Sequence, residues 1–150
     1  ETAPASRVQT TMTEVRVRHP VSCSVYDSSV QAAAVRGSKK ALQRQAEAAL
    51  PKRLAELSEL TGLDYESASI RQLKSRWGSC SSNKNITLNY FLMGLPDALI
   101  DYVLIHELAH TKHMDHGQDF WELVGQYIPD VKSVRKQMRA YQPSVFTAQA

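Results

Sequence analysis

Cysteine is nearly absent from this chain of 150 residues, Cys23 and Cys80 being the only two. So few thiols exclude a disulfide framework, and their separation excludes a paired cysteine metal site, so any bound metal must rely on histidine or carboxylate. The chain also lacks a run of about eighteen apolar residues, which excludes a transmembrane helix, and residues 1–13 lack the apolar centre of a secretory signal. Together these absences predict a cytoplasmic protein with no membrane partner. No glycine-rich phosphate loop is present, and no dense carboxylate cluster of the kind that recruits magnesium. An excess of one charge is missing too: 18 Lys and Arg face 15 Asp and Glu, for a net charge of +3. That surplus does not by itself argue for nucleic acid or a membrane surface.

What is present suits one domain. A hydrophobic fraction of 43% is ordinary for a globular chain of this length. Residues 14–142 are expected to form that domain. Residues 1–13, rich in Ala, Ser and Thr, read as a disordered lead in which Met12 is a candidate natural start, and residues 143–150 read as a loose tail. Val15 and Val17 alternate with charged neighbours over residues 14–19, and residues 21–26 continue with β-leaning types, which predicts a short strand or hairpin. Over residues 38–61, Leu42, Ala46, Ala49, Leu50, Leu54, Leu57 and Leu60 recur at helical spacing. Gly62 is the expected stop of that helix and Pro51 an expected kink or break. Residues 70–76 and 85–89 read as two strands of a hairpin, with residues 86–89 as its exposed edge. Residues 118–127 and 131–141 read as closing helices. The fold class predicted is α+β, a short antiparallel sheet packed against helices.

The chemistry is concentrated in His106-Glu107-Leu108-Ala109-His110, with another histidine at His116. On a helix, residues four apart share a face, so the imidazoles of His106 and His110 can converge on one metal ion. Glu107 lies one position round, badly aimed to ligate that ion but able to reach a water beside it, where a general base is needed. His113 would share the face of His106, but at 1.5 Å rise per residue it would stand roughly 10 Å away along the axis, too far for one tetrahedral ion. His116 is better placed, because Gly117 can take backbone angles that end the helix and turn His116 back. The expected ligands are His106, His110 and His116 around one zinc ion per chain, with Glu122 kept open as a carboxylate alternative. Pro96 and Asp97 suit the start of the helix, and Leu99, Ile100, Val103, Leu104 and Leu108 give it an apolar side.

Three segments resemble the YgjP-like zinc metallopeptidases, relatives of the SprT and WLM-type zincins. They are Lys74-Ser75-Arg76-Trp77-Gly78-Ser79-Cys80-Ser81 with Ile86-Thr87-Leu88-Asn89, the motif from His106 to His110, and His116-Gly117 followed by Phe120-Trp121. The resemblance implies a zincin-like domain with the motif on a central helix, and the roles it assigns fall on His106, Glu107, His110 and His116. The spacing from His110 to His116 is also that of the metzincins, but His113 stands where those carry glycine.

The expected activity is therefore hydrolysis of a peptide or protein substrate by a zinc-activated water with Glu107 as base. Two other readings stay open: a metal-dependent hydrolase of nucleotide phosphoanhydrides, and a module that binds protein or DNA and uses zinc only for stability. The retained Glu107 speaks against a purely structural ion. Arg76 is a candidate for binding a substrate carboxylate or stabilising developing negative charge, and Tyr127 and His113 also qualify for the latter. Cys80 reads as an inert thiol, and Trp77, Phe120 and Trp121 as core residues flanking the site. The basic clusters Arg36, Lys39, Lys40, Arg44 and Lys132, Arg135, Lys136, Arg139 leave room for weak nucleic-acid association, though solvated helix faces are the commoner explanation.

Overall fold

A computed structural model describes residues 7–10, 15–18 and 28–143, with side chains from residue 36 onward. The chain runs β1 (Arg7–Thr10), β2 (Val15–Arg18), α1 (Ser28–Thr61), β3 (Ser67–Arg71), β4 (Gly78–Cys80), β5 (Asn85–Asn89), a 3-10 turn (Tyr90–Gly94), α2 (Asp97–His110), α3 (Gln118–Tyr127) and α4 (Val131–Met138). No helix of the described residues is long and apolar enough to cross a membrane.

The antiparallel pair β1–β2 lies against α1. The strand expected over residues 14–19 is β2, but its partner is Arg7–Thr10, inside the stretch read as a disordered lead. The β-leaning residues 21–26 lie outside the described residues. α1 begins ten residues before the expected start, at Ser28, and runs unbroken through Pro51. Proline removes one hydrogen bond and crowds the preceding turn. Leu50 and Leu54 on either side of it are fully buried in the same core, which holds both halves of the helix in line. The expected stop holds: Gly62 takes φ +72°, and its N–H donates to the Ser58 carbonyl at 2.8 Å.

The remaining strands form a mixed sheet in the order β3-β5-β4. β5 is parallel to β3, from Ser67↔Asn85 to Arg71↔Asn89, and antiparallel to β4, from Gly78↔Leu88 to Cys80↔Ile86. Two expectations are corrected. The hairpin is β4–β5, and residues 86–89 lie on the central strand instead of an edge. Ile86 and Leu88 are buried on β5, and an apolar strand of this kind is satisfied by neighbours on both sides. The edge beside the helices is the three-residue β4.

α2 starts after Pro96 as expected, with Asp97 in its first turn. It is buried all round: Leu99, Ile100, Val103, Leu104, Ile105, Leu108 and Ala109 enter a core completed by Leu50, Leu54 and Leu57 of α1, Ile86 and Leu88 of β5, and Phe120 and Val124 of α3. A two-pronged ion pair ties it to α1, Arg53 Nε donating to Asp101 Oδ1 at 2.9 Å and Nη2 to Oδ2 at 2.8 Å. The helix that carries the histidine pair is thus clamped against α1, the sheet and α3. α4 covers part of its outer side.

Candidate metal centre and catalytic cleft

α2 ends at His110, and a tight turn over residues 111–116 follows, with the His113 N–H donating to the Ala109 carbonyl at 2.9 Å. That turn brings His116 back over the helix end. Gly117 does not act through unusual backbone angles as expected; its φ of −78° is one that any residue adopts, and it caps α3.

The three Nε2 atoms form a nearly equilateral triangle. His106 and His110 are 3.2 Å apart, His110 and His116 3.1 Å, and His116 and His106 3.2 Å. Tetrahedral donors about 2.0 Å from one ion are separated by about 3.3 Å, so the triangle has the size of three of four corners around zinc. Among the described residues this is a cluster that could hold a metal ion. His110 Nδ1 meets the His113 carbonyl at 3.0 Å, which fixes its ring and leaves Nε2 with a lone pair directed into the triangle. The contribution of His113 is therefore this main-chain carbonyl. Phe120 supports all three rings: it is fully buried, stacked on His110 with centroids 4.5 Å apart, and edge-on to His106 and His116 at 5.0 and 4.9 Å. Trp121 stacks on His116 at 5.9 Å and carries Arg135 4.2 Å above its ring.

Burial keeps the imidazoles of His106 and His110 neutral. His106 is pushed down to about 3, first by desolvation and then by His110 and His116, and His110 is also lowered, chiefly by desolvation. Neutral imidazole is the form that ligates.

Glu107 is buried beside the triangle, 5% exposed, and its Oε2 has no hydrogen-bond partner among the described residues. Desolvation pushes its carboxyl up to about 7 against the opposing charge of Arg76. An unpartnered buried oxygen next to three converging ring nitrogens is what a water shared with a metal ion would complete, so donor set and carboxylate both fit such an ion. β4 closes over this side chain. A Cβ on Gly78 would lie 3.0 Å from Glu107 Cγ and 3.2 Å from the Thr87 carbonyl oxygen, so the absence of a side chain there lets the strand meet the helix.

The cleft above the triangle has a volume of about 480 Å³ and is bordered by β4, α2 and α4, with Arg76, Trp77, Tyr102, Met114 and Met138 around its mouth. On β4, the Trp77 carbonyl accepts from the Asn89 N–H at 2.9 Å and the Ser81 N–H donates to the Asn85 carbonyl at 3.0 Å, with Ser79 opposite Thr87 between them. Antiparallel alternation then directs the main-chain groups of Gly78 and Cys80 away from β5, along the open edge.

Arg76 is exposed on the lip of the cleft. Glu122 is elsewhere, exposed on α3 and accepting from Gln118 Nε2 at 2.9 Å. The Tyr127 hydroxyl donates to the Thr61 carbonyl at 3.2 Å, tying α3 to α1 outside the cleft. Cys80 borders the cleft, and burial together with Glu107 pushes its thiol up to about 11, away from nucleophilic use.

Two residues went unassigned in the sequence reading. Tyr102 stands one helical turn before His106, edge-on to it at 5.9 Å, and lines the cleft; the four-residue spacing was the available signal. Asn89 is fully buried, with Nδ2 donating to the carbonyls of Leu73 at 2.8 Å and Arg76 at 2.9 Å and Oδ1 accepting from the Phe91 N–H at 3.0 Å. It thereby pins the loop that presents Arg76 and leads into β4.

The family described as YgjP-like, metallopeptidase domain, matches residues 5–141. Among solved structures, the chain is similar to the metallopeptidase zymogen of Pyrococcus abyssi abylysin, at 27% identity and a TM-score of 0.54, over 60% of this chain and 91% of that one. It is also similar in fold to the metallopeptidase zymogen of Methanocaldococcus jannaschii jannalysin, at 21% identity and a TM-score of 0.54, over 60% and 93% of the two chains. No curated protein gives a significant match.

Proposed function

The chain belongs to the YgjP-like metallopeptidase family, and we propose that it hydrolyses peptide bonds with one zinc ion held by His106, His110 and His116 and with Glu107 as general base. The observation that carries this reading is the triangle of Nε2 atoms, 3.1–3.2 Å on each side, next to the unpartnered Oε2 of Glu107. Three imidazoles suit zinc by ligand type and leave a fourth position open. Zinc held by these residues would supply Lewis acidity to a water and to the substrate carbonyl.

The chain's own groups account for the rest. Burial sets the Glu107 carboxyl near 7, where it can take a proton from the attacking water and return it to the leaving amine. The wall formed by Gly78 and Thr87 limits where that carboxylate can sit. An extended peptide is held along β4 by the outward main-chain groups of Gly78 and Cys80, which places a carbonyl over the histidines. Arg76 binds the substrate from the lip. We assign the protein to the cytoplasm, a reading supported by the free thiol of Cys80.

The test is zinc content by elemental analysis together with cleavage of a mixed peptide pool followed by mass spectrometry. About one zinc per chain, lost or weakened in His116→Ala, with cleavage by the zinc-loaded protein, is the expected result. Full zinc binding by His116→Ala would remove His116 from the ligand set. No cleavage by the loaded protein would overturn the peptidase reading.

A further inference from the structure

The cleft is lopsided in charge. Its lining contains one carboxylate, Glu107, and that group is buried and faces the histidines. Two arginines from different elements stand near it, Arg76 among the lining residues and Arg135 outside them. Arg76, on the loop entering β4, lines the mouth, and its charge reaches Glu107. Arg135, on α4, is held over Trp121 with its charge reaching His106 and Tyr102, and Met138, one turn further along the same helix, lines the cleft. Among the described residues neither arginine has a carboxylate partner, whereas Arg53 is paired with both Glu56 and Asp101.

Each arginine is also held in place. The carbonyl of Arg76 accepts from the buried Asn89, and the guanidinium of Arg135 rests on an indole that is itself stacked on His116. Placing two cations beside a metal site adds repulsion toward the ion, and an arriving anion relieves it. A guanidinium takes a carboxylate in a two-pronged fork. Arg76 precedes β4 and Arg135 lies on α4, elements on two borders of the cleft, so a peptide lying along β4 has a guanidinium near each border.

We propose that the cleft selects peptides with acidic side chains next to the scissile bond, Arg76 and Arg135 each taking a carboxylate. The proposal rests on the peptidase reading above and adds the class of substrate. Lysine at those positions is rejected by like charge.

Short quenched-fluorescent peptides, blocked at both ends and carrying Glu, Gln or Lys on either side of one cleavable bond, provide the test. The zinc-loaded protein is expected to show kcat/KM in the order Glu, Gln, Lys, with Glu over Gln by about 3- to 10-fold for each arginine engaged. Ratios are compared within each variant, so a general loss of activity does not enter. Arg76→Gln and Arg135→Gln are each expected to erase the Glu:Gln ratio at the peptide position which that arginine reads. Binding of the same peptides to Glu107→Gln, followed by fluorescence anisotropy, reads the charge order without turnover.

Cleavage with no charge order, or ratios unchanged in both arginine variants, overturns the selection while leaving the peptidase reading intact. A charge order in binding without cleavage by the loaded wild-type protein supports the selection and counts against the peptidase reading. In a matched set left unblocked, a preference confined to peptides with a free C-terminal carboxylate reassigns the arginines to a chain end and overturns the side-chain proposal. Displacement of the bound Glu peptide by a single-stranded oligonucleotide at lower concentration than by unlabelled peptide assigns the arginines to phosphate and overturns it as well.

Discussion

Replacing Gly78 with alanine should reduce turnover without removing the metal. The added Cβ would lie 3.0 Å from Glu107 Cγ and 3.3 Å from its Cδ, whereas carbon atoms in contact settle about 3.5–4.0 Å apart. The shortfall is about half an ångström or more. Retreat in the other direction is blocked, because the Thr87 carbonyl oxygen is 3.2 Å away on the central strand β5. Either β4 lifts from α2 or the Glu107 side chain moves. Overpacking of this kind costs about 1–3 kcal/mol of stability. A carboxylate displaced by half an ångström to one ångström from the attacking water lowers kcat by about 10- to 100-fold. The assay is kcat and KM on one cleavable peptide, alongside zinc content and a urea melt of the same preparation. The expected pattern is a fall in kcat at full zinc content, with a small loss of stability. Turnover within about twofold of wild type would refute the reasoning, and so would loss of zinc in parallel with activity, since the substitution would then be acting through the ligands.

Glu107→Gln should keep fold and metal while losing about 10²- to 10⁴-fold in kcat, measured on protein of verified zinc content; retained activity would remove Glu107 as base. Asn89→Ala abolishes three hydrogen bonds made by a fully buried side chain and leaves the carbonyls of Leu73 and Arg76 without that donor. It should lose about 2–4 kcal/mol in a urea melt and raise KM through the loosened Arg76 loop; unchanged stability would contradict the role given to that side chain. Phe120→Ala removes the ring packed against all three imidazoles and should cost about 3–5 kcal/mol while weakening zinc affinity in a competition titration with a chelating dye. Chelation of the wild-type protein should end hydrolysis yet leave the far-ultraviolet circular dichroism largely unchanged, because the core from Leu50 to Val124 is built from apolar side chains; loss of helicity would show that the ion holds the fold.

The metal centre was the most legible part of the chain because it is local. His106 and His110 are set by helical period, and His116 follows within one turn, so eleven residues contain the triangle and no long-range pairing had to be guessed. The sheet was less legible for the opposite reason. β4 has three residues, too few to show alternation, and the parallel pairing of β3 with β5 spans a chain segment whose path is decided by Asn89 reaching back to Leu73 and Arg76. Residues 72–76 therefore resemble the end of a strand while forming a pinned loop. The first turns of α1 carry alanines with no apolar period, which hid its start at Ser28, and tertiary burial of Leu50 and Leu54 overrode the breaking signal of Pro51. The positions of Gly78 and Tyr102 against the site were within reach of sequence only after the strand and helix had been placed.

The shortness of β4 has a consequence for what the enzyme can attack. With Gly78 and Cys80 alone offering outward main-chain groups, the edge can grip a stretch only once it has left any sheet or helix of its own. A folded target exposes such a stretch by local opening, and where reclosing is faster than cleavage the rate follows the open population. Every additional 1.4 kcal/mol or so of local stability in the target then slows its destruction about tenfold. On the binding mode proposed above, an edge of three residues would make the enzyme a reader of other proteins' local unfolding equilibria, sparing well-ordered chains and removing those that have begun to come apart.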